Sequence, residues 1–115
     1  KMEKQYVLER SVSMAYGDGV RMTKTAQYMR NNDVSFRQED DDGGILFNPD
    51  TDTLRVINPT GVIVWTFLAQ PHTLDETIDH IMEVFDGVTR DQAREDVQGF
   101  IEDLVKSGLI GTLET

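Results

Sequence analysis

The chain has 115 residues and a mass of 13.1 kDa, the length of one domain. It contains no cysteine, so disulfides, thiolate zinc sites and a cysteine nucleophile are excluded. No apolar run approaches the ~20 residues of a membrane span, and 11 basic against 21 acidic residues give a net charge of −10, which disfavours a phosphate-binding surface.

That charge is unevenly spread. Residues 1–32 carry six bases and three acids, a net of +3, whereas residues 33–115 carry five bases and eighteen acids, a net of −13. A basic arm, 1–32, therefore precedes an acidic body, 33–115, and such a split marks an interaction or docking segment. Within the arm, residues 6–16 read YVLERSVSMAY. Tyr6, Leu8, Val12, Met14 and Tyr16 are apolar at even positions, with Arg10 the exception, while the odd positions hold Val7, Glu9, Ser11, Ser13 and Ala15, of which two are apolar. This is the period of a strand with one buried face. Gly17-Asp18-Gly19 then breaks the pattern, and residues 20–32 show no clear period. Met22 offers an alternative start, which would make 1–21 an appended piece. With no signal-peptide pattern, the expected location is the cytoplasm.

Three short strands follow. They are Val34-Ser35-Phe36, Ile45-Leu46-Phe47 and Leu54-Arg55-Val56-Ile57, separated by Asp40-Asp41-Asp42-Gly43-Gly44 and by Asn48-Pro49-Asp50-Thr51-Asp52. Strand and turn at this spacing predict an antiparallel meander. The three aspartates lack the ligand spacing and terminal Glu of a calcium loop, so no metal is expected.

The remainder reads as helix. Asn58 before Pro59 is a cap followed by the residue suited to the first turn. Val62, Ile63, Val64, Trp65, Phe67 and Leu68 make that helix apolar nearly all round, hence the most buried one, and Pro71 should end it. Thr73 and Glu76 form a capping box for a helix whose stripe is Leu74, Ile78, Ile81 and Phe85. Thr89 and Gln92 repeat the box. Ala93, Val97, Phe100, Ile101, Leu104 and Val105 then form an amphipathic stripe that Gly108 closes, and Leu109-Ile110 should tuck beneath the helices. The fold class is α+β and winged-helix-like: a three-stranded antiparallel sheet, then a three-helix bundle, with an extended N-terminal arm.

Catalytic chemistry is sparse. There is no phosphate-binding glycine loop and no G-x-S-x-G elbow, and His72 and His80 are the only histidines. His80 can meet Glu76 or Glu83 on a solvated helix face. No catalysis, metal or cofactor is expected.

From residue 33 onward the chain resembles the PqqD-like family, the RiPP recognition elements. The matching residues are the hairpin into Leu54-Arg55-Val56-Ile57-Asn58, then Thr60-Gly61 and Ile63-Val64-Trp65-Thr66-Phe67-Leu68. Thr73-Leu74-Asp75-Glu76-Thr77-Ile78 and Phe85-Asp86 follow, with Asp96-Val97, Phe100-Ile101, Leu104 and Gly108-Leu109-Ile110 closing the match. The resemblance implies a non-catalytic peptide-binding chaperone. It would hold the leader of a ribosomally made precursor by strand addition and present it to a modifying enzyme, often a radical SAM protein. Carried over, the receiving edge is Leu54, Arg55, Val56 and Ile57, flanked by the last helix.

Taking Val97 as zero at about 100° per residue, Ala93, Phe100 and Leu104 lie within about 60° on one side. Ile101 and Val105 lie on the other, beside Arg94 and Gln98. The first group should face the core. Val97, Ile101, Val105, Arg94 and Gln98 are the candidate groove residues, with ordinary core packing the competing reading for Ile101 and Val105. The arm at 6–16 is a leader-like strand that pairs with the 54–57 edge of its own or a neighbouring copy, a hairpin with 20–28 that extends the sheet, or a disordered segment. An open edge also permits a homodimer, through the edge or a swapped arm. Two other functions compete: a winged-helix DNA-binding regulator and a structural protein–protein adaptor. The last helix is net negative, which speaks against DNA.

Overall fold

Between Ser35 and Ile57 the chain doubles back twice on short turns. Strands β1 (Gln27–Arg30), β2 (Ser35–Gln38), β3 (Gly44–Asn48) and β4 (Thr53–Ile57) open the fold. The last three form one antiparallel sheet in the order β2-β3-β4. The computed structural model describes residues 25–39 and 43–113, so Asp40, Asp41, Asp42 and the 6–16 segment lie outside the described residues.

The β3–β4 turn is built from its own polar groups. Asn48 Oδ1 accepts the Asp50 N–H at 2.9 Å, and Asp52 takes the left-handed conformation at φ 56°. Asn48 is buried because its amide also reaches across the molecule, donating to the Gly108 carbonyl at 3.1 Å. Asn31 donates to the same carbonyl at 3.0 Å. Two distant turns are thereby tied to the end of the last helix.

Helix α1 (Pro59–Phe67) starts where Asn58 Oδ1 accepts the Gly61 N–H at 2.9 Å. Its regular turns stop at Phe67, before Pro71, with Leu68 as the cap. It is not uniformly buried: Val64 and Trp65 lie in the core, while Val62, Ile63 and Phe67 are half-buried. After strand β5 (His72–Thr73), helix α2 (Leu74–Val84) begins on the complete capping box. Thr73 Oγ1 accepts the Glu76 N–H at 3.1 Å, and Glu76 Oε1 accepts the Thr73 N–H at 2.9 Å. Leu74, Ile78, Ile81 and Phe85 are all buried, as their spacing requires.

Helix α3 (Arg90–Lys106) has only half of the expected box. Thr89 Oγ1 accepts the Gln92 N–H, but the Gln92 side chain instead donates to the Asp96 carboxylate at 2.9 and 3.0 Å. Gly108 closes the helix at φ 77°, with Leu109 N–H donating to Leu104 O and Gly108 N–H to Val105 O.

The single expected sheet is in fact one of two. Strand β6 (Ile110–Leu113) pairs antiparallel with β1, and β1 pairs on its other side with β5, giving the order β5-β1-β6. Residues 27–30, which the charge division groups with the arm, thus form the centre of this second sheet. Ala26 and Tyr28 are fully buried. Leu109 and Ile110 are buried as expected, yet Ile110 opens a strand rather than a loose tail. The architecture is mixed α+β, with two three-stranded antiparallel sheets and three helices among the described residues.

The histidines also differ from expectation. His72, not His80, meets Glu76, at 3.3 Å, while His72 and His80 both stack against Phe67 with ring centroids 3.9 and 4.3 Å away. The Thr73 backbone N–H, helped by His72, holds the Glu76 carboxyl below its ordinary range. A depressed carboxyl stabilises the fold above its unfolded pKa and loses that contribution as the pH falls through the folded value. Thermal midpoints between about pH 5 and pH 3 should therefore fall more steeply for the wild type than for Glu76→Gln.

Candidate functional site

The hydrogen-bond alternation of the first sheet identifies which main-chain groups lie at its rim. Glu39 N–H donates to Gly43 O at 2.9 Å, so the residues of β3 that turn toward β2 are Ile45 and Phe47. Gly44, Leu46 and Asn48 therefore turn the other way, toward Ile57, Arg55 and Thr53 of β4. That leaves the N–H and C=O groups of Leu54 and Val56 pointing out of the sheet. Among the described residues no strand pairs with this edge. Two donors and two acceptors are set at the spacing an extended chain needs.

The side chains of β4 form two unlike rows. Leu54 and Val56 point to the outer face and are 60% and 67% exposed. Directly across from them stand Phe47 and Ile45, half-buried, so four apolar side chains share the outer face of the sheet. On the inner face, Ile57 is buried and Arg55 bonds to α3. The Arg55 guanidinium pairs with the Asp103 carboxylate and donates to Ser107 Oγ at 2.8 Å. One turn back, the Phe100 ring approaches Gly61 so closely that an added Cβ would lie 3.1 Å from it, and equally near the Ile57 side chain. The flank of α3 beneath β4 is therefore Phe100, Asp103 and Ser107.

This reverses the flank expected from the helical wheel. Arg94 turns away from β4 and pairs with Asp75 of α2 at 3.1 Å, just as Arg90 pairs with Asp79 at 2.6 Å. Val97 and Ile101 are wholly buried in the core, and Val105 packs against it half-buried. Gln98 is half-buried on the Arg94 side. Of the nine residues read from sequence, the structure brings together Leu54, Arg55, Val56 and Ile57 but places the five from α3 elsewhere. The reason is geometric. A helical wheel gives angular separations, not which neighbour stands on which side, and the two Arg–Asp pairs fix α2 against the Arg94 flank. The helical wheel does not single out Asp103 and Ser107, although Arg55 is the lone Lys or Arg between Arg37 and Arg90 and an acidic partner for it is the available signal.

Among the described residues no three His, Asp or Glu side chains gather as a metal site, and no helix is long and apolar enough to cross a membrane. The features of the site are an open edge, an apolar outer row and a polar inner row pinned to a helix.

Two solved structures share the fold. "TbiB1 in Complex with the TbiA(beta) Leader Peptide" superposes with a TM-score of 0.63 at 22% identity, covering 71% of this chain and 93% of the other. "Lasso peptide synthetase B1 complexed with the leader peptide" gives 0.62 at 18% identity, covering 73% and 96%. No curated protein matches the chain significantly. Residues 43–110, from the glycine just before β3 to the first residue of β6, match the family described as coenzyme PQQ synthesis protein D, and the chain belongs to this PqqD family.

Proposed function

We propose that the protein is a non-catalytic adaptor that captures the leader segment of a ribosomally made precursor peptide and presents it to a modifying enzyme. The observation that carries this reading is the edge of β4 at Leu54 and Val56, with which no strand pairs among the described residues. An extended guest would pair there as a fourth strand, its backbone supplying affinity whatever its sequence. Its alternate side chains would meet Leu54 and Val56 outside and the Arg55–Asp103–Ser107 cluster inside, which supplies selectivity. The leader-bound state of both structural relatives supports the same occupant. An enzyme of the radical SAM class would receive the loaded complex. The acidic body speaks against DNA, since α3 holds Arg90, Arg94 and Lys106 against five acids.

The test uses synthetic peptides covering the first half of each short open reading frame beside the gene, titrated by fluorescence anisotropy. At least one should bind with a micromolar Kd. Val56→Pro removes an N–H that β3 does not use, a position where an edge strand tolerates proline. Loss of one main-chain bond, with the ring obstructing its neighbours, should weaken binding by roughly ten- to a hundredfold while the melting temperature barely moves. Equal affinity in the wild type and Val56→Pro overturns the reading, as does binding of a duplex DNA in place of every peptide.

A further inference from the structure

We propose that Arg55 selects the guest by charge: the β4 edge takes an extended segment with an Asp or Glu side chain directly across from Arg55. This deepens the proposed function and rests on it, for it names the class of peptide that the edge accepts.

Three observations carry it. The first is position. Leu54 and Val56 hold the main-chain groups that point out of the sheet, so Arg55 falls between them. In an antiparallel ladder that is the narrow pair, where facing side chains stand closest. The guest residue across from Arg55 therefore projects on the inner face, beside the guanidinium. Its two neighbours project outward next to Leu54 and Val56, where apolar side chains fit.

The second is which member of the ion pair a guest can reach. The Arg55 side chain is 31% exposed and that of Asp103 16%. Asp103 and Ser107 hold the guanidinium from the α3 side, which fixes it in place at the edge. A fork of five N–H donors can serve two carboxylates at once, so a guest acid adds to the pair. A guest base must instead displace Arg55 from Asp103. That strips a half-buried guanidinium of its carboxylate and costs more than the exchange returns.

The third is the order of charges round α3, now that its contacts with α2 and β4 are fixed. Leu46 of β3 lies in the core and Arg55 of β4 meets the α3 flank, so an added strand comes over the water side of that flank. At about 100° per residue, Lys106 stands about 60° past Asp103 in that direction and Glu102 about 100° past it. Round α3, the first charge beyond the pair is thus a base. The net −13 of residues 33–115 repels acidic peptides in general, but charges more than about 8 Å away are screened at physiological salt. One inward acid is favoured; a run of acids is not.

The test scans a fluorescein-labelled leader peptide that binds in the anisotropy titration, replacing each of its positions in turn by Glu, Gln and Lys. At one position the wild type should bind the Glu peptide about tenfold more tightly than the Lys peptide, with Gln between. In the swapped variant Arg55→Glu, Asp103→Arg the preference at that position should turn to Lys, while substitutions elsewhere keep their effects. Arg55→Gln with Asp103→Asn removes both charges and should bind the Glu and Lys peptides equally, which keeps the test decisive where the swapped variant does not fold. A scan in which no position favours Glu, or a preference that survives in these variants, overturns the inference and leaves the adaptor reading intact. Tighter binding of Lys than of Glu at the position that responds to the variants makes Asp103 the guest's partner and overturns it too. Failure of every peptide to bind the wild type sinks the adaptor function, and the inference with it.

Discussion

Gly43→Ala is expected to cost about 3 kcal/mol or more of stability, and with it the alignment of the peptide edge. Gly43 sits at φ 109°, a conformation that an L side chain rarely adopts. The space is closed as well. A Cβ there would overlap the Ile57 carbonyl oxygen and lie 2.9 Å from Asn58 Cα, both of them backbone. No rotamer change relieves a clash with main chain, so the end of β4 and the start of α1 must move apart. Gly44→Ala is the internal comparison. Its Cβ meets chiefly the Phe36 ring, the far end of a side chain that can swing, so its cost should be smaller. Urea denaturation of the two variants reads the difference directly. Comparable midpoints would mean that the turn into β3 is softer than the packing of Ile57 and Asn58 against it implies.

The sequence made most local features legible because each rests on a short-range rule. The three strands at 34–57 are bracketed by Asp, Asn, Gly and Pro, and the hairpins form where these stand. Asn58, Thr73 and Thr89 all cap helices, and Gly108 ends one, for each needs only its neighbours within a turn. The second sheet obeys no such rule. Strand β1 reads Gln-Tyr-Met-Arg and β6 Ile-Gly-Thr-Leu, neither with sustained alternation, and β5 has two residues. What makes them strands is pairing between the two ends of the described chain, a long-range event that no local window contains. The same distinction divides the site. The edge at 54–57 lies in one alternating run, whereas its helical flank depends on a tertiary choice between α2 and β4.

That choice has an energetic signature in Ile101→Ala. Ile101 is fully buried, on the side of α3 that meets the core rather than the peptide edge. Truncating a buried isoleucine loses both the transfer energy of its methyl groups and the contacts around the cavity left behind, about 2–5 kcal/mol. In a domain of this size each kilocalorie lowers the melting temperature by roughly 4–8 °C, so a fall of about 10 °C or more is expected. Val105→Ala should cost less, because its side chain is only half-buried. Neither side chain borders β4, so peptide affinity measured well below the melting temperature should be unchanged in both. A groove on the Arg94 flank requires the opposite: weakened peptide binding by Ile101→Ala at little cost in stability. Calorimetry and anisotropy on this one variant therefore decide which side of α3 faces the guest, since a core role moves the melting temperature alone and a groove role moves the affinity alone.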